Sequence, residues 1–345
     1  MASIALVHDF LTGIGGDVRV LKAIHDMYPQ APIYCLTRDK KFTDSFFPEA
    51  DIHPLFKTRH SKFLLPFFPS RIESLDLSSF DVVISTGSIF SKGLILKPRT
   101  FHINYCHSPT RQVWDLTHAY KRKLFQHFLR IWDRTASTRV DCFLANSENV
   151  RKRIKKYYGK DAEVIYPPVH IFPHTIHAEA KAPFYLIVSR LYKHKNIDIA
   201  INAFNKLELE LYIIGDGPEF HRLRSLAGPT VHLMGSLPDD ACSAYFDACN
   251  AFILPQEEDF GIAPVEAMLH GKPVLALRNG GALEYIEEGV NGLFFDDSHE
   301  AVLADGVRRM EKISFNSKVI RQCAQKFSTQ KFQSSFSNII DRISH

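Results

Sequence analysis

"VIYPPVHIFPHTIHAEAKAP", residues 164–183, holds Pro167, Pro168, Pro173 and Pro183 in a chain that otherwise alternates apolar strand runs with helical patterns. Prolines at this density continue neither a helix nor the interior of a sheet. The stretch therefore reads as a linker. Before it, Ile4–Val7, Asp81–Ser85, His102–Cys106 and Asp141–Ala145 are short apolar runs closed by turn formers or polar residues. After it come "FYLIVS" (184–189), "LYIIG" (211–215), "VHLMG" (231–235), "AFILP" (251–255) and "PVLAL" (273–277). Ile197, Ala200, Ile201 and Phe204 fall at i, i+3, i+4 and i+7, one face of a helix. Near-continuous apolar strands suit a parallel sheet covered on both faces. The same rhythm on each side of a linker predicts two doubly wound α/β domains. The expected boundaries are 1–168, a linker at 169–183, a second domain at 184–326, and a closing helix at 327–345 that packs back on the first domain. That helix carries Phe332, Phe336, Ile339 and Ile340 on one stripe.

Bulk composition agrees with this reading. A chain of 345 residues suggests two domains, and 45% hydrophobic with 23% charged residues is ordinary globular usage. No apolar run approaches the ~18 residues of a membrane span. "MASIALVHDF" lacks a basic leader and reads as a first strand. Cysteines 35, 106, 142, 242, 249 and 323 form no Cys-x-x-Cys pair, so zinc and dithiol chemistry are disfavoured and reduced thiols in a cytoplasmic setting are expected. The net charge of +4 is uneven. Residues 1–170 carry 25 Lys+Arg against 16 Asp+Glu, a net +9, and the remainder carry 17 against 22, a net −5. The basic first half is either a solvated surface or one that meets an anionic partner.

Five constellations lie where open α/β sheets meet ligands, beyond the C-terminal ends of strands. "TGIGGDVRVL" (12–21) follows the first strand; Gly15 and Gly16 permit a tight turn ahead of a helix whose free N–H groups suit an anion. Val18 stands where the dinucleotide fingerprint needs its last glycine, which disfavours a nicotinamide dehydrogenase. "YCHSPTRQVWD" (105–115) places His107 just past a strand, able to donate to a hydroxyl or a phosphate. "SRLYKHKN" (189–196) brings Arg190 and Lys195 to a strand end before a helix, a fit for a diphosphate. In "IIGDGPEF" (213–220), Gly215 and Asp216 open a tight turn whose glycines would let a ligand approach the backbone. "PQEEDFGIAPVEAM" (255–268) sets Glu258 and Asp259 in a loop, Phe260-Gly261-Ile262 at a helix mouth and Glu266 in the first helical turn. Carboxylates there would accept hydrogen bonds from vicinal hydroxyls.

With these residues in hand, the chain resembles a family 4 glycosyltransferase of the GT-B fold over nearly its whole length. The resemblance is most specific over 186–292, where "SRLYKHKN", "GDGP" and "EEDFGIAPVEAMLHGKPVLALRNGGALEYIEEGVNG" stand in family order. "ALVHDFLTGIGGDVRVL" and "YCHSPTRQVWD" are similar to the mannosyltransferase branch of bacterial surface-polysaccharide assembly. The resemblance implies two Rossmann-like domains facing a central cleft, a nucleotide-sugar donor, retention at the anomeric carbon, and neither metal nor cofactor. It implies that Arg190 and Lys195 hold the diphosphate, that Glu258 meets the sugar hydroxyls with help from Asp259 and the Phe260–Ile262 backbone, and that Glu266 meets the ribose. His107 would approach the sugar, Gly15 and Gly16 would lie near the diphosphate, and Gly215, Asp216 and Leu237 of "GSLPDDA" (235–241) would complete the donor side. The family's first loop usually reads Gly-Gly-x-Glu-Arg, and here Val18 replaces the glutamate.

The branch favours GDP-mannose. A UDP-sugar donor such as UDP-glucose or UDP-N-acetylglucosamine, a sugar-nucleotide epimerase or hydrolase, and an idle sugar-nucleotide-binding subunit stay open. The expected acceptor is a glycan, free or on a lipid diphosphate, with no nucleic-acid partner. "KTRHSKFLLPFFPSR" (57–71) and "YKRKLFQHFLRIWDR" (120–134) mix cations and aromatics in a way that suits peripheral contact with the cytoplasmic face of an anionic inner membrane.

Overall fold

The computed structural model describes residues 2–57, 62–115, 123–181 and 183–344. Part of each cation-aromatic stretch, residues 58–61 and 120–122, lies outside them. The chain divides into two units, residues 1–168 with 329–345, and residues 169–328.

The first unit is built on β1 (Ile4–Leu11), β2 (Ile33–Arg38), β3 (Ile52–Pro54), β4 (Val82–Gly87), β5 (Phe101–Cys106), β6 (Cys142–Ala145) and β7 (Ala162–Val164). Their order is β3-β2-β1-β4-β5-β6-β7, and every pairing is parallel. Leu6 sits opposite both Ile33 and Ile84, so β1 is central and the winding reverses between β1 and β4. Alternate residues serve opposite faces. Leu6, Ile33, Cys35, Ile84 and Ile103 pack under the helix Gly16–Met27 and the last helix, Thr329–Ser344. The stripe Phe332, Phe336, Ile339 and Ile340 is buried on this face. A buried side chain of this size contributes about 1.5–3 kcal/mol, which accounts for the last helix belonging to the first unit. Ala5, Val7, Leu36 and Val83 pack on the other face against Phe68, Ile72, Phe90 and Leu129.

The second unit is built on β8 (Phe184–Val188), β9 (Glu210–Ile214), β10 (Val231–Gly235), β11 (Ala251–Leu254), β12 (Val274–Leu277) and β13 (Gly292–Phe295). The order is β10-β9-β8-β11-β12-β13, again all parallel, with the reversal between β8 and β11. Ile197, Ala200, Ile201 and Phe204 of the helix Ile197–Leu207 are all buried against this sheet, as their spacing predicts. Within the proline-rich segment, Ser243 Oγ donates to the Phe172 carbonyl (2.7 Å) and the Lys181 N–H to the Tyr212 hydroxyl (3.1 Å), so these residues cluster with the second unit. Phe327 also belongs there, edge-on to Phe260 at 5.3 Å between centroids.

Candidate functional site

Doubly wound sheets leave a crevice at the strand C-termini where the winding reverses. In the second unit the two loops at that reversal follow β8 and β11, and they carry Arg190, Lys195 and Glu258. A 3-10 turn, Lys193–Lys195, ends at Asn196, whose φ of +50° starts the next helix. This turn buries Lys195 to 7% exposure, and its Nζ donates to Glu258 Oε1. Gln256 Nε2 donates to the same carboxylate oxygen at 2.8 Å. Glu258 therefore enters a strand-end loop held by two donors, while its main-chain carbonyl takes the Gly281 N–H at 2.9 Å. Neither Gln256 nor Gly281 stands out in the sequence, although both flank motif residues. Arg190 is exposed, its guanidinium 5.8 Å from the Tyr192 ring.

Beyond Glu258 the chain turns at Gly261, φ +93°, directly into the helix Ile262–Leu269. Only glycine adopts that φ without strain. A Cβ there would also lie 2.9 Å from the Tyr285 hydroxyl. Phe260 is buried between Tyr285 and Phe327, so it anchors the turn. Burial raises the Tyr285 pKa well above 10, with the Glu258 charge adding to the shift. The N-cap residue, Gly261, has no side chain to bond the first N–H groups of the helix.

One expectation changes. Glu266 is the fifth residue of that helix and not part of its first turn, because the helix starts at Ile262 and not at Pro264. Its backbone thus stands one turn beyond the start of the helix. Gly215 is required by the packing of the protein itself: at φ +140°, a Cβ would lie 1.9 Å from the Ser189 carbonyl oxygen. Asp216 turns its carboxylate onto the Gly217 N–H at 2.7 Å. Leu237, half-buried, offers its carbonyl to Cys242 Sγ at 3.6 Å. Asp259 is half-buried in the Glu258 loop.

His107, Gly15 and Gly16 lie in the first unit. Gly15 caps the helix Gly16–Met27, and Val18 is buried in the core beneath it. His107 Nε2 meets Thr86 Oγ1 at 2.8 Å, and Asn146 Nδ2 donates to the His107 carbonyl at 3.0 Å. Burial pushes the His107 pKa down to about 4, against the raising pull of Asp17. The imidazole is neutral at pH 7, so it presents one donor and one acceptor and carries no charge. Asp9, missed in the sequence, is buried and accepts the N–H groups of Ser88, Ile89, Phe90 and Ser91 at 2.6–3.0 Å. That carboxylate ties the end of β1 to the turn after β4. Its signal was an acid closing an otherwise apolar strand.

Two all-parallel, doubly wound sheets, each with polar residues gathered beyond the strand ends, are the two Rossmann-like domains of the GT-B fold. Anabaena HepE, solved in complex with UDP and glucose, shares that fold with a TM-score of 0.75 at 18% identity, covering 99% of this chain and 100% of that one. Residues 18–171 match the model Glycosyltransferase Family 4, and residues 173–327 match the model Glycosyl transferases group 1. The chain belongs to glycosyltransferase family 4.

Among its relatives, an uncharacterized glycosyltransferase of Methanocaldococcus jannaschii is 24% identical over 204 residues, 58% of each chain. A GDP-mannose-dependent alpha-mannosyltransferase of Corynebacterium glutamicum is 33% identical over 110 residues, 32% of this chain and 26% of that one. The alpha-1,3/1,6-mannosyltransferase alg-2 of Neurospora crassa is 22% identical over 358 aligned positions, 84% of this chain and 74% of that one. The matches thus span about a quarter to three quarters of these relatives' lengths.

Proposed function

We propose that the protein is a retaining hexosyltransferase that moves mannose from GDP-mannose to a hydroxyl of a glycan or lipid-linked glycan in surface-polysaccharide assembly. The observation that carries this reading is the contact of Lys195 with Glu258 at the strand-order reversal. It gathers a cation suited to a diphosphate and a carboxylate suited to sugar hydroxyls at one point. The mannosyltransferase relatives support the sugar, and the corynebacterial one supports the base.

In this mechanism the bond from the anomeric carbon to the diphosphate oxygen breaks, and a bond to the acceptor oxygen forms on the same face. The acceptor's proton leaves with the departing diphosphate. Arg190, Lys195 and the helix N-terminus at Ile262 stabilise the charge that develops on the leaving group, a task that requires no metal. Glu258 orients the sugar, which is positioning and not proton transfer. His107, neutral at pH 7, can donate to a hydroxyl. The protein supplies no nucleophile.

A UDP-sugar donor is the second reading, favoured by the UDP and glucose in the HepE complex. A thermal-shift panel of GDP-, UDP- and ADP-sugars separates the two. GDP-mannose at a hundred times its Kd stabilises a single-site protein by about 2.7 kcal/mol. A shift with UDP-sugars alone would transfer the assignment to the second reading, and no shift with any would remove both. Product analysis with and without acceptor distinguishes transfer from epimerisation or hydrolysis.

A further inference from the structure

Gln256 follows β11 and precedes the Glu258 loop, and it is buried to 3% exposure. Its Nε2 donates to Glu258 Oε1 at 2.8 Å, the oxygen that also accepts from Lys195. A carboxylate only accepts, so the amide nitrogen faces Glu258 and the amide oxygen faces away. That oxygen is buried and finds no hydrogen-bond partner among the described residues. An orphaned buried oxygen is destabilising, and a leucine or methionine would fill a similar volume without one. The amide is thus kept against the interest of packing, and its one bond with a side chain is the hold on Glu258.

The main chain at Glu258 is already fixed by other contacts. Its carbonyl accepts the Gly281 N–H at 2.9 Å, and a Cβ on Gly280 would lie 2.3 Å from that carbonyl oxygen. Asn279 Nδ2 donates to the neighbouring Glu257 carboxylate at 3.0 Å. These contacts leave the rotation of the partly exposed Glu258 side chain undecided. Lys195 restrains its direction weakly, because an ammonium is a point charge on a flexible stem. In the transfer proposed above, the same ammonium also serves the diphosphate. The amide N–H is directional and comes from the same loop, so it restrains the carboxylate in angle as well as in distance.

We propose that Gln256 is a positioning residue of the transfer: it holds the Glu258 carboxylate in the orientation that meets the donor's sugar hydroxyls, while Lys195 supplies the opposing charge. The inference rests on the reading of Glu258 as the group that orients the sugar. A misplaced positioning group is felt most in the transition state, where geometry is strictest. Removing the amide therefore lowers kcat and kcat/KM together. The donor KM, set mainly by the nucleotide and its diphosphate, stays nearly unchanged.

Two substitutions separate orientation from packing. Turnover is read as release of nucleoside diphosphate from GDP-mannose or UDP-glucose, with a mannose-terminated glycolipid present. Gln256→Leu removes the donor and the orphaned oxygen together, so it melts at or above the wild-type temperature, with kcat about ten- to a hundredfold lower. Gln256→Glu sets a second carboxyl against Glu258, beside Lys195, Tyr285 and the Glu257 and Asp259 of the same loop. Like charges raise the pKa of such a pair, so the introduced group is protonated, and donates again, only at low pH. The kcat of Gln256→Glu relative to wild type therefore rises about tenfold from about pH 8 to about pH 5, while that of Gln256→Leu stays flat. A wild type that turns over neither donor removes the functional reading and this inference with it. An active wild type, with Gln256→Leu within about twofold of its kcat, overturns the inference alone. Equal losses in both variants at every pH, with lowered melting temperatures, would make Gln256 a packing residue and overturn it too.

Discussion

Replacing Lys195 by methionine removes the ammonium and keeps most of the buried stem. What remains is Glu258, with 22% of its side chain exposed and one hydrogen bond from Gln256 at 2.8 Å. Breaking a fully buried ion pair costs about 3–5 kcal/mol, because the surviving charge is stranded. Here the survivor reaches solvent and keeps a donor, so the expected cost is nearer 1–2 kcal/mol. In a unit of this size that lowers the melting temperature by about 2–8 °C. The catalytic loss is much larger. Removing one preorganised group from a developing charge costs about 10²–10³ in kcat.

Lys195→Met therefore folds, melts slightly early and turns over at least about a hundredfold more slowly. Adding Glu258→Gln removes the stranded charge, so the double variant recovers most of the melting temperature and none of the turnover. Radiolabelled transfer and calorimetry on the four proteins form a double-mutant cycle. Turnover within about fivefold of wild type in Lys195→Met would refute the assignment. Turnover restored in the double variant would show that the pair acts only on folding.

Two further outcomes follow from buried groups. Burial holds the imidazoles of His102 and His107 down to about 3 and about 4. The unfolded chain takes up protons at these positions near pH 6.5, and the fold refuses them. Their contribution is therefore complete above pH 6.5 and is lost as the pH falls, at about 1.4 kcal/mol per pH unit for each group. Chemical denaturation between pH 6.5 and 4 checks this: His102→Phe gives a shallower slope than wild type, and parallel slopes would contradict the account. Gly215→Ala drives a Cβ to within 1.9 Å of a carbonyl oxygen at a positive φ. It costs about 3 kcal/mol or more, seen as an early melting transition.

The sequence made the central strands legible because each is a compact apolar run that the sheet buries on both faces. β11 and β12, buried throughout, are the clearest cases. β3 and β7 were not legible: with three residues each, at the sheet edge, they show no periodicity. β2 was missed because "IYCLTR" carries polar residues within the run, and β13 because four residues after Asn291 read as part of a turn. Residue types at strand ends marked Lys195 and Glu258 as candidates, and the structure brings the two into contact. Contact between them was not readable, since 63 positions separate the two and only the winding order brings β8 beside β11. The Ser85–His102–Asn104 cluster inside the first sheet was also invisible, because alternation predicts a buried face and not the bonds made within it.

Gly215 bears on how the loop after β8 keeps its place. The chain after β8 rests through Ser189 on bare backbone, and the Leu191 N–H reaches the Asp216 carbonyl at 2.9 Å. No rotatable side chain separates the two loops there. The height of Arg190 above the sheet is therefore fixed by peptide planes, which do not hop between rotamers. If this loop holds the donor as proposed, it loses little order on binding, and affinity is not spent on arranging it. Changes behind the site, in residues that never meet a sugar, would reach turnover by tilting this seat.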